Sequence, residues 1–240
     1  MFCRLGLQEA TSETSRAEQT EMELDVIAHQ SNLPALFCYS YVNPEIIKRI
    51  KSKINVNDIE FLDTSILLEK QKKIKYKHID GIGTDRVLGL LGALREKEPP
   101  FITVDCGTAI TVNVLNQNYE CCGGAIFAGI STQMKALNSY TRQLPEIELF
   151  PEKITAGRNT HHALRSGIIT GTVGAIKELT YRISKEEFNT ENITIILTGG
   201  DSEIVFNAID NFDYIVLRRK NLVLDGIIEL FEINQWNIEI

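Results

Sequence analysis

The chain predicts an α/β fold whose sheet has an antiparallel part and a parallel part. Two observations carry this expectation. Residues Phe101 to Gly129, FITVDCGTAITVNVLNQNYECCGGAIFAG, read as strand, tight turn, strand, turn, strand, which is a β-meander. After it the order is helix, helix, strand, helix, strand, helix. A run of strands followed by strands alternating with helices is the pattern of a mixed sheet with helices packed against it.

Bulk properties narrow the function classes. A chain of 240 residues, 43% of them hydrophobic, can bury a proper core as one large domain or two smaller ones. The net charge of −7 argues against a nucleic-acid partner, which selects basic surfaces. No apolar run is long enough to span a bilayer, and Phe2-Cys3-Arg4-Leu5 leads into a polar, acidic stretch unlike a signal peptide. A cytoplasmic protein with no membrane partner is expected. The five cysteines, Cys3, Cys38, Cys106, Cys121 and Cys122, include no C-x-x-C pair and are expected to be reduced thiols.

Taken in order, Glu13 to Leu24 is a candidate helix that Ser12 can cap. Ala35 to Val42 reads as a buried strand. Pro44 can open a helix over Glu45 to Lys53, because proline fits a first helical turn. Ile59 to Leu62 is a second strand. Leu67 to Tyr76 reads as irregular and basic, with Lys70, Lys72, Lys73, Lys75 and Lys77 close together. Such a cluster is usually a solvated face; its functional alternative is attraction of an anionic substrate. Gly81 to Glu96, GIGTDRVLGLLGALRE, follows. Val87, Leu88, Leu90, Leu91 and Leu94 form a helical apolar face, so Thr84, Asp85 and Arg86 sit at the helix start, where an anion is favoured. Asp85 there serves either as a cap or as a carboxylate base beside a guanidinium.

In the meander, Phe101 to Val104 ends at Asp105, and the turn Cys106-Gly107-Thr108-Ala109 leads to the strand Ile110 to Leu115. Glycine lets backbone approach a ligand closely, and neighbouring N–H groups can face phosphate oxygens. Asp105 can hold a cation and Thr108 can offer a hydroxyl. A tight hairpin with a capping aspartate explains the same residues. Gly129 to Leu137 then reads as a helix, and Leu144-Pro145 as a break. Thr155 to Thr160 is a turn before a long helix, His161 to about Ser184, rich in glycine and alanine. Each interior glycine costs that helix about 1 kcal/mol relative to alanine, which close packing usually offsets. His161 and His162 lack a third ligand at suitable spacing for a metal. The strand Ile193 to Leu197 enters Thr198-Gly199-Gly200-Asp201, a turn that lets a ring or phosphate approach backbone. A helix over Glu203 to Ile209, a strand over Tyr214 to Leu217 and a helix over Asn221 to Ile233 finish the chain.

Several motifs in one order resemble the type III pantothenate kinase family. They are Gly83-Thr84-Asp85-Arg86, then Asp105-Cys106-Gly107-Thr108-Ala109-Ile110-Thr111, then Gly123 to Ile130, GGAIFAGI. Thr160 ahead of Ser166-Gly167, and Thr198-Gly199-Gly200-Asp201, complete the set. The resemblance runs from about Tyr76 to Gly226. It implies an actin-like (ribonuclease H-like) α/β fold of two similar subdomains, over 1–98 and 99–240. It implies ATP-dependent phosphorylation of pantothenate, the first step toward coenzyme A. Asp85 then resembles the family's general base. Tyr76, Gly83, Thr84, Asp85, Arg86 and Thr160 match pantothenate contacts. Gly107, Thr108, Gly199 and Gly200 match the ATP side, and Asp105 matches the ligand of a monovalent cation, potassium or ammonium. Mg2+ and a homodimer are implied as well.

The chain also departs from the family pattern. The family opens on a D-x-G-N-T hairpin whose Asp serves magnesium, and Met1 to Gly6, MFCRLG, does not carry it. The first hairpin is expected to be missing, leaving the N-terminal subdomain incomplete. Asn113 stands where the family usually has Asp, Ala128 where it has Pro, and His78-Ile79 where it has Asn-Pro. A non-catalytic relative that binds pantothenate or acts in regulation is the alternative to an active kinase.

Overall fold

The computed structural model describes residues 35–39, 59–151, 156–188, 193–210 and 212–233. The helices expected over 13–24 and 45–53 lie outside these residues. The described backbone divides into two compact units. The first takes its residues from Met1–Lys73, Gly81–Gly92 and Val223–Ile240, and the second is Ile74–Asp80 with Ala93–Leu222.

In the first unit, β1 (Ala35–Tyr39) pairs in parallel with β2 (Ile59–Asp63). The strand expected to continue to Val42 is described only to Tyr39. Helix α1 (Thr64–Lys70) follows β2 directly. This corrects the irregular reading over Leu67 to Lys70, whereas residues 71–76 are irregular as expected. The Asp63 carboxylate accepts the Ser65 N–H at 2.9 Å and caps the helix, while Leu67 and Leu68 are buried. The lysine cluster had masked that start. Within the cluster, Lys73 Nζ lies 2.5 Å from the largely buried Glu229 carboxylate, whereas Lys70 and Lys72 are exposed. Helix α2 (Thr84–Ala93) buries Val87, Leu88, Leu90 and Leu91, the predicted stripe. It packs on α6 (Leu222–Ile233) backbone to backbone: a Cβ on Gly226 would fall 1.9 Å from the Leu88 carbonyl oxygen.

The second unit is built on a five-stranded mixed sheet, and the α/β class expected from the sequence is the observed one. Its strands are β3 (Phe101–Cys106), β4 (Ala109–Leu115), β5 (Cys121–Ala128), β6 (Thr194–Thr198) and β7 (Ile215–Arg218), in spatial order β5-β4-β3-β6-β7. The meander pairs are antiparallel; β3–β6 and β6–β7 are parallel. Strands β3 and β6 are buried along nearly their whole length, as central strands covered on both faces must be. Strand β5 alternates between exposed and partly buried residues, as befits an edge. Helix α3 (Ile130–Tyr140), helix α4 (Thr160–Glu187) and helix α5 (Ser202–Ala208) belong to the same unit. Ile102, Val104, Val112, Ile195 and Leu197 share one core with Ile130 and Met134 of α3, Leu164, Ile168 and Ile176 of α4, and Val205 of α5. Asn159 caps α4 by accepting the His162 N–H at 2.9 Å, which starts the helix one residue earlier than expected.

Candidate active site

The parallel pairing of β3 and β6 brings two turns together at the carboxyl ends of those strands. Asp105 is in register with Thr198, so Cys106-Gly107-Thr108 and Gly199-Gly200-Asp201 leave the sheet side by side. In open α/β sheets that is where ligands bind. Four expected site residues, Asp105, Gly107, Thr108 and Gly199, meet here, and Gly200 follows in the same turn. Gly199 has φ +89°, and a Cβ there would lie 2.3 Å from Asp105 Oδ1 and 2.7 Å from the Cys106 carbonyl carbon. Only glycine supplies both that conformation and that clearance.

Hydrogen bonds orient the first turn. The Gly107 N–H donates to the Ala109 carbonyl at 3.2 Å, so this N–H is engaged within the turn itself. The Thr108 carbonyl accepts from the Gly129 N–H at 2.9 Å and from the Thr132 hydroxyl at 2.7 Å. The Cys106 carbonyl accepts the Asp201 N–H at 2.9 Å. With these carbonyls engaged, the exposed Thr108 keeps its N–H and hydroxyl without a hydrogen-bond partner among the described residues. Two free donors on an exposed turn suit a phosphate oxygen.

The charges here are carboxylates. Asp105 is half-buried at the strand end. Burial raises the pKa of Asp201, opposed by the nearby Ser131 backbone N–H. Burial also drives the Cys106 thiol far up, with help from the negative charge of Asp105 and Asp201. Among the described residues, no three His, Cys, Asp or Glu side chains gather as a metal cage. One carboxylate amid backbone carbonyls fits a weakly held monovalent cation, not an all-protein magnesium site; magnesium is usually held by one or two carboxylates plus substrate phosphates.

Thr160 lies in a groove of about 620 Å³ between α3 and the start of α4, with Leu137, Leu144, Leu164 and Ile168 among its apolar walls and Gln133, Arg158 and Asn159 at its polar positions. Gln133 adjoins Thr132, the residue bonded to Thr108, so the groove reaches the same helix start that supports the turn. Tyr76 is placed differently. Lys75 pairs with the start of β5, donating to the Tyr119 carbonyl and accepting the Cys121 N–H. Cys121 faces Leu115, whereas Ala109 faces Ala128. Tyr76 and the Thr108 turn therefore lie toward opposite ends of the β4–β5 ladder, roughly 20 Å long.

The remaining expected residues stand in the first unit. The Gly83 carbonyl accepts the Arg86 N–H at 3.2 Å and the Val87 N–H at 3.4 Å, which starts α2. Asp85 is therefore inside the first turn and not the cap. Its carboxylate folds back over Gly83: a Cβ there would lie 2.4 Å from Asp85 Oδ1. Thr84, Asp85 and Arg86 are all half-buried.

The sequence profile of type III pantothenate kinase matches residues 4–182, three quarters of the chain. The chain belongs to the type III pantothenate kinase family. The Persephonella marina type III pantothenate kinase is 36% identical over 159 residues, which cover 66% of this chain and 60% of that one. The Finegoldia magna type III pantothenate kinase is 31% identical over 196 residues, 80% and 71% of the two chains. This chain spans 60% to 65% of the length of the first two curated relatives it matches. A solved structure from Campylobacter jejuni, described as a Baf family transcriptional activator, shares the fold at TM-score 0.58 and 21% identity, covering 88% of both chains.

Placed in this pantothenate kinase family, the chain has one contact residue that sequence reasoning left without a role. Asp201 was visible in the motif Thr198-Gly199-Gly200-Asp201, but nothing local signals that its backbone N–H meets the Cys106 carbonyl.

Proposed function

We propose that this chain phosphorylates pantothenate with ATP, giving 4′-phosphopantothenate and ADP as the first step toward coenzyme A. The observation that carries this reading is the paired turn at the ends of β3 and β6. There Asp105, the unengaged donors of Thr108 and the close-packed Gly199 converge. Phosphoryl transfer needs little more of a protein than positioning and charge stabilisation, and such a turn supplies both.

In this reading Gly107, Thr108, Gly199 and Gly200 receive ATP, and Asp105 holds potassium or ammonium. Magnesium enters bound to the nucleotide phosphates. Gly83, Thr84, Arg86, Tyr76 and Thr160 bind pantothenate, with Thr160 acting from its groove. Asp85 orients the substrate hydroxyl and takes its proton as the oxygen bonds to the γ-phosphorus. The bond from that phosphorus to the β-phosphate oxygen breaks, and ADP carries away the electron pair. The position of Asp85 in the first turn of α2, its carboxylate folded over Gly83, supports a fixed acceptor. The enzyme works as a cytoplasmic homodimer. The exposed glycines Gly167, Gly171 and Gly174 of α4, with open space above each, are compatible with a close helix contact.

A coupled ADP-release assay with pantothenate and potassium or ammonium tests the reading. Turnover is expected, and Asp85→Asn is expected to lose a hundredfold or more, on the order of a general base's contribution. Pantothenate binding without turnover in the wild-type chain favours a non-catalytic binding protein instead.

A further inference from the structure

We infer that Gln133 sets specificity in the groove beside Thr160, its side-chain carbonyl accepting the amide N–H of pantothenate. The acceptor rests on contacts; the identity of its ligand rests on the kinase reading.

Chemistry fixes which way the Gln133 amide points. Its Nε2 lies 2.8 Å from the Ala128 carbonyl oxygen and 3.0 Å from the Thr172 hydroxyl oxygen. A carbonyl can only accept, so the NH2 group faces Ala128 and its second hydrogen goes to Thr172. Both donors are thereby engaged, one at the end of β5 and one on α4. The atom left over is Oε1, which has no hydrogen-bond partner among the described residues. It is also reachable, because among those residues only the Ser202 hydroxyl is both buried and without a partner. Gln133 is half-buried and forms part of the groove's wall, so its head group can offer a ligand an acceptor and nothing else. Held at two points, that acceptor loses little freedom when a ligand arrives.

The rest of the groove narrows the ligand. Leu137, Leu144, Leu164 and Ile168 give it apolar walls. Asn138 donates to the Leu144 carbonyl at 2.8 Å, which holds one of those walls in place. Arg158 lines the same groove, is exposed, and has no ion-pair partner among the described residues. A ligand that suits all three features has an apolar body, a hydrogen-bond donor and an anionic end. Pantothenate has such a body, a single secondary amide and a carboxylate. With its carboxylate at Arg158, the nearest donor along the molecule is the amide N–H, and the reacting hydroxyl is at the opposite end.

The test sets pantothenate against its ester analogue, in which oxygen replaces the amide N–H, in the full wild-type chain and in Gln133→Met. KM and kcat come from the assay above, and Kd from calorimetry. The wild-type chain is expected to prefer pantothenate about tenfold or more, the scale of one hydrogen bond. Gln133→Met keeps the length of the side chain and drops the carbonyl. There the preference is expected to fall to about threefold or less, with kcat within about threefold of wild type. A role confined to bracing α3 against β5 and α4 would weaken both ligands equally and leave the preference intact. The preference is a ratio, so it does not depend on how much of the variant is folded, and Gln133→Leu repeats the comparison should methionine unfold the chain. A wild-type preference below about threefold, or a preference that survives in the variants, overturns the inference while pantothenate turnover keeps the kinase reading. A wild-type chain that neither binds nor phosphorylates pantothenate overturns both.

Discussion

Ser202 follows Asp201 and carries a buried hydroxyl with no hydrogen-bond partner among the described residues. A buried hydroxyl without a partner carries a desolvation cost. Ser202→Ala is therefore expected to raise stability by about 1 kcal/mol, read as a higher urea midpoint. A lower midpoint would mean that the hydroxyl bonds to a buried water. Asn113 shows the opposite case. It is buried between Thr103 and Thr111, and its amide nitrogen approaches both hydroxyls at 3.5 and 3.4 Å. An aspartate there could only accept, so the amide turns the hydrogen-bond direction around. The three described cysteines are free thiols, in line with the expectation of reduced cysteines. Burial, then the neighbouring Glu187, pushes Cys122 up to about 12, and Cys106 and Cys121 are fully buried.

Among the elements, α2 and α6 make the sharpest case. Alanine at an ordinary helical glycine gains about 1 kcal/mol of helix propensity. Gly226 is different, because its added Cβ would meet the Leu88 carbonyl oxygen at 1.9 Å, and backbone cannot swing aside as a side chain can. Gly226→Ala is expected to destabilise the first unit by about 1–3 kcal/mol, as overpacking does. Faster amide exchange along α2 would register the change; unchanged exchange would mean that the helices separate at no cost. Elements differed in how much of them could be read beforehand. The α2 stripe was plain, because five apolar residues recur at helical spacing. Helix α1 was not, because the lysine cluster that starts at its last residue, Lys70, suggested a loop while its cap, Asp63, belongs to the preceding strand.

At the scale of the molecule, the acidic balance of −7 leaves many carboxylates near solvent, so few of them bear on stability. Glu96 is an exception. Its carboxylate meets Arg219 at 2.6 Å, joining the segment after α2 to the end of β7 within the second unit. The Arg219 hydrogen bond holds the Glu96 pKa below its ordinary 4.5, against a smaller opposing effect of burial. A carboxyl with a lowered folded pKa stabilises above its unfolded value, and the benefit fades as pH falls through the folded one. The pair is partly exposed, so its worth is at most about 1 kcal/mol. Glu96→Gln is expected to lower the urea midpoint slightly at pH 7. Wild type and variant should converge as the pH drops below 4.5 and through the depressed pKa of Glu96. A gap that persists at pH 3 would assign the effect to packing.

The sequence by itself determined the meander, the helices that follow it, and membership of a kinase family through motifs kept in one order. Those features are local: apolar period, glycine turns and short motifs all act over a few residues. Tertiary structure alone decided that β3 and β6 are central and β5 an edge. It also decided that Tyr76 stands toward the far end of a ladder from Thr108, and that the N-cap of α3 must be glycine, because a Cβ on Gly129 would meet the Gly107 and Thr108 carbonyls. Each of these depends on a partner brought close by strand pairing, and local propensity carries no information about which distant carbonyl or carboxylate will arrive.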